Sequence, residues 1–418
     1  MEVSEFTFVH AADIHLDSPL HGLSRYDGVP VDEVRGATRA AFDNLIEFAI
    51  DEQVDFVVLA GDLFDGDWRD MGTGLYFARA MGRLAQASIR AFVLRGNHDA
   101  ASVLTSTLPW PDNVHVFSSR RAETVQMDEL GVALHGRSFP NAHVTDNLAA
   151  EYPDPIPNSF NIGVLHTALA GHTNHAPYAP CSVAQLQAKG YDYWALGHVH
   201  DFSIESEHPL IVFPGNLQGR NIRETGAKGA VIVDVRDGAA TVRPVELDVL
   251  RWASVDVDCS NAADLDAVHQ QARTALAAAH SMNAADRPLI VRVVLSGQTP
   301  CAGILQDRGA QLRDEIRSIA AGISPELWLE KLLVQAAPPP QAEVPEGVED
   351  IASILAEASS DSELAERFGA EFAQFLSASL SAESGDESGL GPAARGSDWR
   401  KVIETAATAL MARLERAN

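Results

Sequence analysis

The 418-residue chain holds only three cysteines, and Cys181, Cys259 and Cys301 lie far apart with no C-x-x-C spacing. That excludes a disulfide framework and a thiolate zinc site, and it points to a reducing compartment. No stretch reaches the roughly 18 uninterrupted apolar residues of a membrane span. The start, from Met1 into Phe6-Thr7-Phe8-Val9, lacks the basic residues and cleavage site of a signal peptide. A cytoplasmic protein without membrane contact is therefore expected. Basic residues are scarce too: 31 Lys and Arg stand against 58 Asp and Glu, a net charge of −27. Residues 336–418 carry 6 basic and 15 acidic side chains, so residues 1–335 still hold −18 without them. A protein that binds nucleic acid by neutralising phosphates normally shows a basic face, and the sequence as a whole does not.

What is present begins with length, which at roughly 150 residues per domain allows two or three domains. Residues 1–250 alternate short apolar runs with longer periodic segments, the pattern of strands and helices in an α/β layer protein. Phe6–Val9, Phe56–Ala60 and Ala91–Leu94 read as buried strands, with Phe42, Leu45, Ile46, Ala49 and Ile50 at helical spacing between the first two. Ile162–Leu165, Tyr193–Leu196 and Ile211–Phe213 continue the series, and Ala230–Val235 with Thr241–Leu247 read as a hairpin around Arg236-Asp237-Gly238. Near Leu250 the pattern becomes a small α/β unit, with strands at Ser254–Asp258 and Leu289–Leu295 and an Ala-rich helix near 261–280. Pro338-Pro339-Pro340 marks a stiff linker over 336–347. Beyond it, 348–418 shows amphipathic helices, with Leu364, Phe368, Phe372 and Phe375 at three- and four-residue steps and Trp399, Val402, Ile403 and Leu410 in a last one.

Polar residues follow the apolar strands directly, as loops at the carboxyl edge of a sheet would present them. Five blocks occur in order: Asp13-Ile14-His15, Gly61-Asp62, Gly96-Asn97-His98-Asp99, His166, and Gly197-His198-Val199-His200. Each block alone reads as ordinary structure, since strand-end histidines are commonly hydrogen-bonded and Gly-Asp is a common turn. Together, imidazoles, carboxylates and one amide after successive strands form a set that buried structure does not demand. Mixed N/O ligation of this kind suits manganese, iron or zinc better than magnesium or calcium. Paired cations can hold a phosphate oxygen and lower the pKa of a bound water.

The pattern D-x-H, G-D, G-N-H-D, lone H, G-H-x-H resembles the calcineurin-like metallophosphoesterase superfamily over residues 8–235. The resemblance implies a four-layer α/β/β/α sandwich over 1–250, a small α/β accessory capping domain over 251–335, and C-terminal helices. It assigns Asp13, His15 and His200 to one divalent metal, and Asn97, His166 and His198 to the other, with Asp62 bridging. His98 takes the catalytic place, oriented by Asp99. Ser/Thr phosphatases of the superfamily carry Gly-Asp-x-x-Asp-Arg-Gly, whereas this chain reads Gly61-Asp62-Leu63-Phe64-Asp65-Gly66-Asp67. The stretches 8–17, 191–200 and 213–220 instead look like the SbcD group, and most of all like YhaO-type bacterial DNA repair exonucleases. Two manganese ions, DNA as substrate, an SMC-like ATPase of the SbcC or YhaN type docked on 348–418, and a homodimer are what that likeness implies. One departure is Asp65, where some archaeal and eukaryotic members place a second histidine; a carboxylate cannot act as an imidazolium would.

Other residues carry two readings. His10 is a packed strand histidine or supports the site from behind. His172 and His175 read as residues of a solvated loop. Arg95, Arg220 and Arg223 are candidates for gripping phosphate, because a guanidinium holds two oxygens at once. Three functions stay open: a metal-dependent DNA exonuclease or endonuclease subunit in repair, a phosphodiesterase for small diesters such as cyclic nucleotides, and a noncatalytic scaffold.

Overall fold

Alternation along the first strand sets up two cores. In β1 (Phe6–Ala11) Phe6 and Phe8 turn one way and Val9 and Ala11 the other, all buried, as a strand between two packed layers requires. The computed structural model describes residues 5–18, 31–65, 71–101, 110–169 and 178–339, with isolated positions between 353 and 410. The chain forms two compact units, the first closing at Arg251 and the second taking the chain from Trp252 onward. After β1 the first unit continues through α1 (Val31–Asp51), β2 (Phe56–Ala60), α2 (Met71–Gln86), β3 (Arg90–Leu94), α3 (Asn97–Ala101), β4 (Val114–Val116), β5 (Glu123–Met127) and β6 (Val132–Gly136). It then runs through β7 (Phe160–His166), α4 (Val183–Gln187), β8 (Tyr193–Gly197), β9 (Phe202–Glu207), β10 (Leu210–Pro214), β11 (Gly229–Arg236) and β12 (Ala239–Glu246).

These strands make two six-stranded sheets, ordered β12-β11-β1-β2-β3-β4 and β5-β6-β7-β8-β10-β9. Strands β1 to β4 run parallel, as do β6, β7, β8 and β10, while β11, β12, β5 and β9 add antiparallel edges. Phe8, Phe56, Val58 and Phe92 from the first sheet meet Leu134, Ile162, Val164 and Tyr193 from the second in one core. On the outer face of the first sheet lie Phe42, Leu45, Ile46 and Ala49 of α1 with Phe77, Ala80, Met81 and Leu84 of α2. The outer cover of the second sheet is thinner: α4, a 3-10 turn at Leu148–Glu151 and loop residues pack around Trp194. The mixed α/β architecture of facing sheets is the one expected. Strands β4, β5, β6 and β9 and helix α2 were not apparent in the sequence.

The second unit holds β13 (Arg251–Asp258), α5 (Leu265–Asn283), β14 (Leu289–Ser296), α6 (Ala302–Asp307), α7 (Gly309–Ile323) and β15 (Leu327–Val334). Its three strands form one sheet, β13-β14-β15, whose Val255, Val257, Val291 and Val293 share a core with Ala272 and Leu276 of α5 and Ile316 of α7. Helix α5 starts later than the expected residue 261 because Asp264 caps it, accepting from the Ala267 amide at 2.9 Å. The C-terminal helices expected over 348–418, and His172 and His175, lie outside the continuously described residues. No helix among the described residues is long and apolar enough to cross a membrane.

Candidate metal centre

The five polar blocks sit at the carboxyl ends of β1, β2, β3, β7 and β8, and facing sheets bring these ends together. Within the first sheet the Asp13 amide donates to Gly61 O at 3.0 Å, and two bonds join the sheets: the His198 amide to Asp13 Oδ2 at 2.9 Å and His166 Nδ1 to Ala60 O at 3.0 Å. The backbone is bent to make this possible. Asp13, His15, Asp62 and His198 all have positive φ, at 51°, 45°, 52° and 100°, a region that costs a non-glycine residue free energy and collects at functional sites. Two motif glycines are required by close approach. A Cβ at Gly61, itself at φ +104°, would lie 2.4 Å from His166 Nδ1, and one at Gly96 would lie 2.3 Å from Asp62 Oδ1.

Three groups of side chains result. Asp13, His15 and His200 bring one ligand atom each within 4.8 Å of one another, as do Asp62, His166 and His198, and a third group, His15, Asp65 and His98, shares His15 with the first. Asn97 joins the second group, its Oδ1 3.0 Å from His166 Nε2. His166 has its Nδ1–H committed to Ala60, so Nε2 presents a lone pair to Asn97 Oδ1 and, at 3.3 Å, to Asp62 Oδ2. Three acceptors meet there, an arrangement that calls for a proton or a cation among them. Burial opposes a charge on His166, yet Asp62 and Asp13 outweigh it and push its pKa up to about 9. In the first group His15 donates Nδ1–H to Asp65 Oδ1 at 2.6 Å, and its Nε2 is buried without a hydrogen-bond partner. An orphaned buried acceptor costs about 1–3 kcal/mol, which a cation at that nitrogen would remove. The donor set of imidazoles, carboxylates and one amide oxygen fits two divalent metals.

His98 belongs to neither the Asp13 group nor the Asp62 group, but shares the third with His15 and Asp65. It is the second residue of α3, with a 45% exposed side chain, and its amide donates to Asp62 Oδ1 at 2.9 Å. Its Nδ1 lies 3.5 Å from Asp65 Oδ1. Asp99, expected to orient His98, is fully buried and accepts from the amides of Leu63, Phe64 and Gly96 at 3.0 Å each, tying the Asp62 and Asn97 loops together. The carboxylate that faces His98 is Asp65. Asp65 also accepts from Ser18 Oγ and stands 3.8 Å from Arg220 Nη1. Burial works against its charge, but His15, Ser18 and Arg220 hold its pKa below the usual carboxylate range.

Residues 6–202, which carry all five polar blocks, match the calcineurin-like phosphoesterase family, and residues 252–337 of the second unit match the middle domain of metallophosphoesterase YhaO. An uncharacterized metallophosphoesterase, YhaO of Bacillus subtilis (strain 168), is 35% identical over 302 residues, which cover 71% of this chain and 73% of that protein. The chain belongs to the calcineurin-like metallophosphoesterases. More distant relatives of this metallophosphoesterase are the DNA double-strand break repair proteins Mre11 of Thermoplasma acidophilum and Sulfurisphaera tokodaii. The first is 27% identical over 278 residues, 60% of this chain and 69% of its own. The second is 24% identical over 274 residues, 62% of this chain and 67% of its own.

The remaining candidates of this metallophosphoesterase separate clearly. His10 is a packed histidine: Nε2 donates to Leu196 O and Nδ1 accepts from Tyr193 Oη, both at 3.0 Å, and burial lowers its pKa to about 3. Arg220, expected to grip phosphate, has Nε at 3.3 Å and Nη2 at 2.9 Å from the Glu224 carboxylate. Arg223 is exposed, its amide bonded to Asn221 Oδ1 at 2.9 Å. Arg95 is half-buried at the end of β3, with Nε lacking a hydrogen-bond partner. Glu224 is a site residue that sequence reasoning did not place, and Asp65 was noted only as standing where other members have a second histidine, without its contacts to His15 and His98. For Asp65 the signal was its position three residues after Asp62; for Glu224 it was only the helical-type spacing from Arg220.

Proposed function

We propose that this metallophosphoesterase hydrolyses phosphodiester bonds of DNA in repair, as an exonuclease or endonuclease subunit, with His98 acting on the reacting phosphate. The observation that carries the chemistry is the pair of ligand groups, Asp13/His15/His200 and Asp62/His166/His198, with an exposed imidazole beside them that belongs to neither. Two divalent cations, manganese in this reading, would hold a phosphate oxygen and supply a hydroxide at neutral pH. Asn97 would complete the second ligand set, and Asp62 would bridge the two ions. With Nδ1–H turned toward Asp65 Oδ1, 3.5 Å away, the imidazolium form of His98 would give its Nε2 proton to the leaving oxygen and keep the proton on Nδ1. Arg95 serves as the phosphate contact from the protein. The step to DNA is supported by the two Mre11 relatives, whose names place them in DNA double-strand break repair. The hydrophobic stripes in the sequence of 348–418 support docking of an SMC-like ATPase that delivers the duplex, and a homodimer completes the reading.

The net charge of −27 favours a second reading, hydrolysis of small diesters such as cyclic nucleotides, for which an acidic surface is no obstacle. Manganese titration of end-labelled duplex cleavage, run beside a cyclic nucleotide and with His98→Leu as control, separates the two. Manganese-dependent duplex cleavage that disappears in His98→Leu is expected. Hydrolysis of the cyclic nucleotide with the duplex left intact would shift the assignment to the small diester.

A further inference from the structure

Glu224 lies in the loop after β10, and nothing in the family's ligand pattern calls for it. It is 7% exposed and accepts five hydrogen bonds: from His200 Nδ1 at 2.9 Å, from Asn216 Nδ2 at 3.0 Å, and from the amide, Nε and Nη2 of Arg220 at 2.8, 3.3 and 2.9 Å. A carboxylate so enclosed is costly to bury unless its charge is used. Its one imidazole partner is His200, whose other nitrogen, Nε2, is turned toward Asp13 Oδ1 at 3.7 Å. Arg220 then carries the chain of charges on to Asp65, which holds His15 in the same way through Nδ1. Glu224, Arg220 and Asp65 thus form a continuous carboxylate–guanidinium–carboxylate brace behind both imidazoles of the Asp13 group.

We propose that Glu224 is a positioning residue for His200, and that this brace sets the affinity and geometry of the metal held by Asp13, His15 and His200. The inference rests on the two-metal reading above. A histidine whose far N–H is held by a carboxylate is fixed in one tautomer and one ring orientation and becomes a stronger electron donor at the other nitrogen. Here the supporting carboxylate is itself fixed by Arg220 and Asn216, so the ring cannot turn without breaking buried charge-assisted bonds. His15, in the same group as Asp13 and His200, has a buried Nε2 without a hydrogen-bond partner.

The test is manganese binding to the metal-free full-length protein, followed by calorimetry with stoichiometry from elemental analysis. Wild type should take up two ions. Glu224→Gln keeps the side chain's size and removes its charge; it should weaken one of the two ions by about 10- to 100-fold, the range for such supporting residues, and leave the other as in wild type. In a His200→Ala background the same change should add nothing, because its route to the metal is gone. Equal weakening of both ions, no weakening, or an undiminished effect in the His200→Ala background would each overturn the proposal. A wild type that binds fewer than two ions would sink the two-metal reading itself, and the proposal with it. Should Glu224→Gln fail to fold by thermal melt, Asp65→Asn in wild-type and His15→Ala backgrounds tests the other end of the brace with the same outcomes.

Discussion

Replacing His98 with leucine isolates one chemical step. The imidazole is 45% exposed, its ring contacts within the site are Asp65 at 3.5 Å and the His15 ring at 5.1 Å, and its bond to Asp62 comes from the backbone amide, which leucine keeps. Stability should therefore change by no more than about 0.5 kcal/mol, as for other surface substitutions, and both ligand groups should stay intact. A positioned general acid contributes about 10²–10⁴ in rate, or about 3–5 kcal/mol of activation free energy at 1.36 kcal/mol per decade. The loss should depend on the leaving group. A DNA 3′- or 5′-oxygen needs a proton as its bond breaks, whereas a nitrophenolate leaves without one, so bis(p-nitrophenyl) phosphate should be hydrolysed by the variant nearly as fast as by wild type. Turnover of both substrates with manganese, alongside metal content, measures this. An equal loss on both substrates with metals retained would refute proton donation and make His98 a stabiliser of phosphate charge. Loss of metal would move it to the ligands.

Other perturbations follow from the same geometry. Gly96→Ala puts a Cβ 2.3 Å from Asp62 Oδ1 and 2.9 Å from the Asp62 amide; it should lower stability by about 1–3 kcal/mol and abolish manganese binding at the Asp62 group, checked by thermal melts and calorimetry. His10→Phe strands Tyr193 Oη and Leu196 O, and should cost about 1–3 kcal/mol for each buried group left unsatisfied while two metals still bind; a variant that lost metal at full stability would contradict the packed role. Truncation after Pro339 keeps the bonds of Gln335 and Ala337 to Leu295 and Gly297, so it should abolish co-purification with an ATPase partner yet spare cleavage of a simple diester. With few basic residues to release counterions, duplex affinity of His98→Leu should fall with salt at a log–log slope shallower than about −3, against roughly −0.9 per neutralised phosphate. A slope near −6 by fluorescence anisotropy would reveal a basic face that the reading above lacks.

The motif residues were legible because chemistry and position coincide: each follows an apolar strand, and parallel strands send such residues to one edge. Even the glycines could be read, since Gly61 and Gly96 mark places where another chain segment comes too close for a Cβ. What stayed hidden depends on distance in the sequence. Glu224 meets His200 from 24 residues away, and no local pattern marks a single acidic side chain in a loop. The resemblance gave Asp99 the task of orienting His98, but the start of α3 turns it inward to the amides of Leu63, Phe64 and Gly96. The ambiguity of His10 needed Tyr193, which comes from the opposite sheet. Strand β9, reading Phe-Ser-Ile-Glu-Ser-Glu, was missed because an exposed edge strand buries too little to carry an apolar run.

The charge that argues against a nucleic-acid ligand also explains how the site must work. Asp13, Asp62, Asp65 and Glu224 gather around the ligand groups, and the Arg220 guanidinium is committed to Glu224 with Asp65 beside it. A phosphodiester approaching that cluster without cations meets net negative potential at short range and an acidic surface at long range. Two divalent ions reverse the sign only at the centre. Substrate capture should therefore be as metal-dependent as hydrolysis, and selection must come from contacts near the scissile bond, not from the protein's overall field. A duplex is bound by its long charged backbone, which a chain of net charge −27 does little to attract, so duplex capture by this chain alone should be weak.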